Sequence, residues 1–401
     1  VTVDRQLINT LHTAFNSIIQ HSLYADKVIQ HHIQDNPHWR REDKAYFVTT
    51  LYDLVRFVRK LAYLSNVTEQ DFWPIWQAYQ VLNDGHIPEW EEMCELTKSD
   101  LQARLESAPR AVQLSYPDWL DGLGESQLGQ HWPVVAQALN RAPGYYLRAN
   151  TLKSSAQSLA SKLTKEQIAC EPVSSSLPDA LAIEAVDRVF RSSAFQAGEC
   201  EMQDAGSQQI APLLELVPGM KVVDACAGAG GKSLHIAALM NNKGRLLSMD
   251  IHQHKLDNLK KRAKRAGCHM IETRVIKNNK TIKRLKDKFD RVLLDVPCSG
   301  TGVLRRNPDS KWHLSEQSID ELIALQADLL QRYSQMCRPG GKLVYATCSV
   351  LPVENQQQVA QFLDANPDWT LQQELSLLPG ISSEFDGFYG AVLCRNDSPQ
   401  D

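Results

Sequence analysis

The sequence predicts an α/β protein: a doubly wound, mostly parallel sheet, preceded by a small α+β module and an all-α N-terminal bundle. Three observations carry that expectation. Residues 221–364 alternate short apolar runs with helical repeats, and strands separated by helices pair in parallel through right-handed crossovers. Residues 4–135 repeat apolar side chains at helical spacing, with few strand-like runs between them. Finally, the stretch from Asp224 to Lys232, with Asp250, Asp295, Cys298 and Cys348, falls at the carboxyl ends of predicted strands, where open α/β sheets bind their ligands.

Taken in order, the elements divide the chain into three. The bundle is expected over 1–140, with Leu7, Leu11, Phe15 and Ile18 on one helical stripe and Phe47, Leu51, Leu54, Val55 and Val58 on another. Asn36-Pro37 and Asn83-Asp84-Gly85 punctuate it. The small module is expected over 141–205, with strands at 145–150 and 180–183 and a helix at 155–163. The sheet domain, 206–401, is expected to hold strands 221–226, 245–250, 270–276, 290–296 and 342–347. Its helices are expected at 231–240, 253–266, 315–336 and 354–364, and an apolar run at 388–393 follows. A length of 401 residues fits such a division, because it exceeds what one core usually organises.

Composition is ordinary for a globular protein, 43% apolar and 22% charged with a net charge of −4. No run approaches the length of a membrane helix and residues 1–20 lack a signal-peptide layout, so the expectation is a cytoplasmic protein with no membrane partner. The nine cysteines are odd in number and scattered without a C-x-x-C pair, which argues against a disulfide framework and against a metal site. Charge is uneven. Residues 1–150 carry 13 Lys and Arg against 18 Asp and Glu, whereas residues 255–288 carry 13 basic residues against three acidic ones. The second stretch suits a phosphate backbone, and equally a solvated helix face.

The run from Val222 to Ser233 is a strand, a glycine loop and a helix start, a layout that lets backbone and a helix N-terminus approach a ligand. Three ligand classes compete for it. A phosphate-binding P-loop would use Gly231-Lys232-Ser233, but Cys226 stands where its first glycine belongs. A dinucleotide fingerprint lacks its third glycine, since Ser233 stands there. S-adenosylmethionine needs a glycine loop and an acid at the end of the second strand, and Asp250 follows Gly231 by 19 residues. An acid there accepts from both hydroxyls of an unphosphorylated ribose.

Two strands each deliver a cysteine: Leu293-Leu294-Asp295-Val296-Pro297-Cys298 and Leu343-Val344-Tyr345-Ala346-Thr347-Cys348. Cytosine C5 is a poor nucleophile, so methylating it requires a thiolate to add at C6, a second group to assist release, and a hydrogen-bonding residue near N3. Cys348, Cys298 and Asp295 match these needs by type and location. A free thiol has a pKa near ~8.5, so whichever attacks must be activated by its surroundings.

Four stretches together resemble the RNA 5-methylcytosine methyltransferases of the Nop2/NSUN and RsmB/Sun family: the loop from Asp224 to Lys232, the run from Leu294 to Gly302, Arg305 to Trp312, and Tyr345 to Val350. A helical domain ahead of the core, itself similar to the NusB antitermination factor, is the layout of those members that modify small-subunit rRNA. The resemblance implies a Rossmann-like S-adenosylmethionine-dependent enzyme whose partner is RNA; separately, the chain is expected to act as a monomer. It implies Cys348 as nucleophile and Cys298 as the group that assists release. DNA cytosine methyltransferases use the Pro-Cys thiol as nucleophile, so the Thr-Cys pair speaks for RNA. It further implies cofactor contacts from Cys226, Ala227, Gly228, Ala229, Gly230, Gly231, Lys232, Asp250 and Asp295, and substrate-backbone contacts from Arg305 and Lys311. The family's usual Ala-Pro-Gly-Gly-Lys reads Gly-Ala-Gly-Gly-Lys here, and Asn279 stands nearest to the family's adenine-contacting Asp. The alternatives are a tRNA cytosine methyltransferase and, from another class, a P-loop nucleotide hydrolase.

Overall fold

The computed structural model describes residues 4–397. It contains two compact units, Val1–Arg141 with Leu304–Glu316, and Ala142–Val303 with Gln317–Asp401.

The first unit is helical. Arg5–Ile19 starts where Asp4 accepts from the Gln6 amide, and it buries Leu7, Leu11, Phe15 and Ile18 on one stripe. Arg41–Arg56 buries Phe47, Leu51, Leu54 and Val55 in the same core, which Phe72, Ile75 and Trp76 of Phe72–Leu82 complete. Each such side chain contributes about 1.5–3 kcal/mol when fully buried, so the two stripes alone make this a core of its own.

The segment 304–316 belongs to this helical unit, although the sequence suggested an uninterrupted sheet domain from 206 onward. Its side chains are tied in closely. Trp312 donates to the Val55 carbonyl at 2.8 Å, and Asp309 accepts from the Ala25 amide at 3.1 Å. Lys311 is 1% exposed; its ammonium donates to the Arg56 carbonyl at 2.8 Å and to Asn140 Oδ1 at 3.3 Å, and lies 4.4 Å from the centre of the Tyr116 ring. Arg305 is buried as well, its carbonyl accepting from Arg56 at 2.9 Å. The Lys311 side chain is spent on interior packing rather than presented to an RNA backbone, and the Pro-Asp-Ser-Lys-Trp run serves as an internal fastening of the helical unit.

The second unit contains two sheets. The smaller is antiparallel in the order β2-β3-β1-β4, from β1 (Tyr145–Ala149), β2 (Cys170–Ser174), β3 (Leu177–Ile183) and β4 (Cys200–Met202). Strands β2 and β4 are short and carry Cys, Glu, Pro and Ser, so apolar patterning did not reveal them. Glu201 on β4 is buried and paired with Arg262 at 2.9 Å and with Arg265, and Asn150 donates to the Ala266 carbonyl at 2.8 Å. The small sheet is thus fastened to the helix Gln253–Ala266 by buried polar bonds.

The larger sheet has the order β10-β11-β9-β8-β5-β6-β7. Its strands are β5 (Lys221–Asp224), β6 (Arg245–Asp250), β7 (Ile271–Val275), β8 (Phe289–Asp295), β9 (Cys337–Thr347), β10 (Trp369–Leu377) and β11 (Phe388–Arg395). Pairing is parallel from β7 across to β9 and antiparallel for β9-β11 and β11-β10. Val223, Leu247, Leu294 and Tyr345 pack on one face, and Val222, Leu246, Leu293 and Val344 on the other. Burial of both faces is why these strands read as unbroken apolar runs. From β5 the chain winds outward through β6 to β7, then returns to β8 on the other side of β5. The switch point therefore lies between β5 and β8, where doubly wound sheets open a crevice. Edge strand β10 was not foreseen, because Thr-Leu-Gln-Gln-Glu lies exposed between its two buried ends.

Candidate active site

Strand β5 ends at Asp224, and the chain then crosses toward β6 through ladder-like bonds, Ala225 N–H to the Leu293 carbonyl at 3.0 Å and Ala227 N–H to the Met249 carbonyl at 2.8 Å. Gly228 follows with φ +53°, and a Cβ built on it would meet nothing within 4 Å, so the backbone there faces open space. Helix Gly231–Leu239 begins immediately after, so its first N–H groups border the same space. Asp250 at the end of β6 accepts from Gly228 N–H at 2.9 Å and from His252 N–H at 2.8 Å, one bond to each carboxylate oxygen. Each oxygen keeps a lone pair for a further donor such as a ribose hydroxyl.

Beside this loop lies a cleft of about 330 Å³. Cys226, Asp250 and Asn279 line it, along with Ile276, Leu325 and Tyr333. Asn279 accepts a hydrogen bond from Arg332, which also lines the cleft. Leu325, Leu329 and Arg332 come from helix Glu316–Tyr333, and their i, i+4, i+7 spacing resembles any amphipathic face, so the sequence held no distinguishing signal for them.

Asp224 also escaped assignment to the site. It is 1% exposed, accepts from Ser233 Oγ at 2.6 Å through one oxygen, and has no partner for the other. Burial, followed by the charges of Asp295 and Asp250, pushes its pKa up to about 7. An orphaned buried oxygen beside a glycine loop that faces open space fits a ligand bearing a cationic donor, such as the α-ammonium of S-adenosylmethionine. Cys226 is half-buried, and desolvation raises its pKa, so it is an inert neighbour of the cofactor loop.

The two cysteine loops meet across β8 and β9. Val296 N–H donates to the Ala346 carbonyl at 3.0 Å beyond the end of β8, and Gly302 N–H donates to the Cys348 carbonyl at 2.9 Å. A Cβ at Gly302 would stand 2.3 Å from the Gly387 carbonyl oxygen and 2.7 Å from that of Cys348, so only glycine permits this approach. The outcome is a Cys298 Sγ to Cys348 Sγ distance of 3.4 Å. Pro297 lines the cofactor cleft, which therefore reaches the cysteine loop.

Charges around the two sulfurs differ. Lys232 donates to Asp295 at 2.6 Å; burial alone would lower the ammonium's pKa, but the charges of Asp295, Cys348 and Asp224 outweigh it and raise it. Cys298 is pushed well above the usual thiol range by its hydrogen bond with Cys348, by burial, and by the negative charge of Glu354. Cys298 is therefore held as the protonated thiol, while Cys348 has the ammonium of Lys232 within electrostatic reach.

The fold thus brings Cys298, Cys348, Asp295 and Lys232 together and sets Cys226, Asp250 and Asn279 along the adjoining cleft. Lys311 is packed inside the helical unit instead, and Arg305 is buried. Among the described residues no group of His, Cys, Asp and Glu is arranged to hold a metal ion, and no helix is long and apolar enough to cross a membrane.

Residues 211–388 match the family described as 16S rRNA methyltransferase RsmB/F, and residues 116–189 match the ferredoxin-like domain of RsmF/B-like methyltransferases. Ribosomal RNA small subunit methyltransferase B of Citrobacter koseri is 35% identical over 297 residues, covering 72% of this chain and 69% of that protein. The protein of the same name from Photorhabdus laumondii is 34% identical over 287 residues, covering 70% of this chain and 66% of that protein. The chain thus spans about two thirds of the length of these relatives. The solved structure of PH0851 superposes with a TM-score of 0.81 over 98% of this chain and all of that one; at 22% identity the likeness is one of fold. The glycine loop and its acids, the paired cysteines, and the relatives that share a third of their residues converge: the chain belongs to the RsmB/F family of S-adenosylmethionine-dependent RNA methyltransferases.

Proposed function

We propose that this protein transfers a methyl group to C5 of a cytidine in RNA through a covalent adduct between Cys348 and C6, with small-subunit rRNA as substrate. The observation that carries the reading is the asymmetric thiol pair at 3.4 Å at the ends of adjacent strands. The name shared by the curated relatives supports rRNA as the substrate class. S-adenosylmethionine, when bound, supplies an electrophilic methyl group on a sulfonium.

The chain's own residues do the rest. Asp250 takes the ribose hydroxyls, Asn279 offers a carbonyl oxygen on the adenine side, and residues 226–232 form the loop along the cofactor. Lys232 stabilises the thiolate of Cys348, whose sulfur bonds to C6 while electron density moves onto C5. Asp295, braced by Lys232, hydrogen-bonds the Watson–Crick edge of the base. After methyl transfer the C5 proton leaves to a base, the S–C6 bond breaks, and Cys298 assists that elimination. A tritium-transfer assay with Cys348→Ala and small-subunit rRNA tests the reading. Transfer is expected to vanish while S-adenosylhomocysteine still binds; full transfer by the variant would refute it. Separate arms with tRNA and rRNA distinguish the two substrates, and titration with ATP-Mg tests the P-loop alternative.

A further inference from the structure

We propose that Glu354 is the positioning residue that holds the two cysteine loops at their working separation. The inference rests on reading Cys298 and Cys348 as the catalytic pair, and it adds the device that keeps them together.

Glu354 closes the short 3-10 turn Pro352–Glu354 ahead of helix Gln356–Ala365. It is 0% exposed, and neutral groups donate to it. An isolated buried carboxylate is costly, and this one is held by donors alone. Oε1 accepts from Ser299 N–H at 2.8 Å and from Gln326 Nε2 at 2.9 Å. Oε2 accepts from the Ser299 hydroxyl at 2.5 Å and from the Ser349 hydroxyl.

The identity of those donors is the point. Ser299 follows Cys298 and Ser349 follows Cys348, so a single carboxylate grips both loops one residue beyond each sulfur. Gln326 also donates to the Pro297 carbonyl at 3.0 Å, gripping the first loop from the other side of Cys298. Neighbouring Asn355 donates to the Ser349 carbonyl at 2.9 Å and accepts from Thr347 Oγ1 at 2.5 Å, which brackets Cys348 in the same way. Without the carboxylate, the Ser299 N–H would be left buried without its acceptor and the two hydroxyls would keep only each other and Thr301 Oγ1, so nothing would bind the Ser299 backbone to the second loop at this point. A displacement of about 1 Å at a reacting group commonly costs about 100-fold in rate. Glu354 touches neither sulfur. It positions them through Ser299 and Ser349, while its charge reaches Cys298 through space.

The test uses the full chain and two variants. Glu354→Gln keeps the clasp: its amide oxygen accepts from Ser299 N–H, and its amide donates to serine hydroxyls that rotate to accept. Glu354→Ala removes the clasp. The first readout is the rate at which diamide closes a Cys298–Cys348 disulfide, followed by peptide mass spectrometry. The second is single-turnover methyl transfer to small-subunit rRNA, and titration with S-adenosylhomocysteine reports the folded cofactor site. Glu354→Ala is expected to slow closure about tenfold or more and transfer about 100-fold, with Glu354→Gln within about threefold of the parent and cofactor affinity the same in all. Unchanged or faster closure in Glu354→Ala would overturn the proposal, as would a Gln variant as impaired as Ala. Should Glu354→Ala fail to bind S-adenosylhomocysteine, the double variant Ser299→Ala/Ser349→Ala, which removes both hydroxyl donors and spares the carboxylate, is read by the same two outcomes. If the parent protein transfers no methyl group, the functional reading fails while disulfide closure still decides the clasp.

Discussion

Replacing Asp224 by Asn tests the electrostatics at the buried end of β5. The carboxyl is fully interior, and its pKa moves from 3.8 to about 7 because burial disfavours the ionised form. Between those two values the unfolded chain is ionised while the folded chain holds a proton, so stability falls as pH rises from about 4 through about 7. The size follows from the shift, about 4 kcal/mol between the two limits. Asn carries no such titration. It keeps an acceptor for Ser233, but it sets an amide N–H where the unpartnered oxygen stands, at a cost of about 1–3 kcal/mol. The ligand-free variant is therefore expected to be less stable than the parent by about 1–3 kcal/mol at pH 4 and more stable by a similar amount at pH 8. Hydrogen exchange of peptides from β5 and β8, with variant and parent compared at the same pH, measures the difference without interference from intrinsic exchange rates. The same stability difference at pH 4 and pH 8 would refute the reasoning. The variant should also bind S-adenosylmethionine more weakly, because the orphaned oxygen is the acceptor offered to its ammonium.

Other predictions follow from the same site. Cys298→Ala should accumulate a covalent protein–RNA adduct visible on denaturing gels, since addition at C6 proceeds while elimination is slowed; absence of the adduct under single turnover would count against the role given to Cys298. Lys232→Met should slow single-turnover methyl transfer about tenfold or more, because the ammonium within electrostatic reach of Cys348 and its bond to Asp295 are lost together. Transfer at the parent rate would leave Cys348 to be activated by another group. Lys311→Met should leave the salt dependence of RNA binding unchanged, whereas loss of a phosphate contact would lower its slope by about one. Burial holds the Lys311 pKa well below 10.5, so the helical unit should gain stability as pH rises toward 10.5, and the Met variant should lack that gain.

Much of the fold was legible in the sequence, and for a stated reason in each place. The strands β5, β6, β8 and β9 read clearly because burial on both faces demands continuous apolar runs. The exposed edge strand β10 and the short strands β2 and β4 carry polar residues that satisfy only the backbone, and patterning cannot detect them. The helical stripes of the N-terminal unit were equally plain, but nothing in the chain order indicated that 304–316 packs with that unit. Lys311 and Arg305 were expected at the substrate backbone because they stand in a site motif. The burial of Lys311 depends on the carbonyl of residue 56, the ring of residue 116 and the side-chain oxygen of residue 140, far away in the chain.

The sequence by itself determined the kinds of groups at the site: two cysteines after strands, an acid before one of them, a glycine loop and a second acid. These are local, because a residue at the end of a parallel strand points into the crevice whatever lies around it. Tertiary structure decided what those groups can do. The 3.4 Å between the sulfurs, the ammonium of Lys232 beside one thiol and the buried carboxylate of Glu354 behind both loops arise only when β8, β9 and helix Glu316–Tyr333 pack together. Acidity, hydrogen bonding and separation belong to pairs of residues brought together from distant parts of the chain, and distances of that kind are not written in the order of the residues.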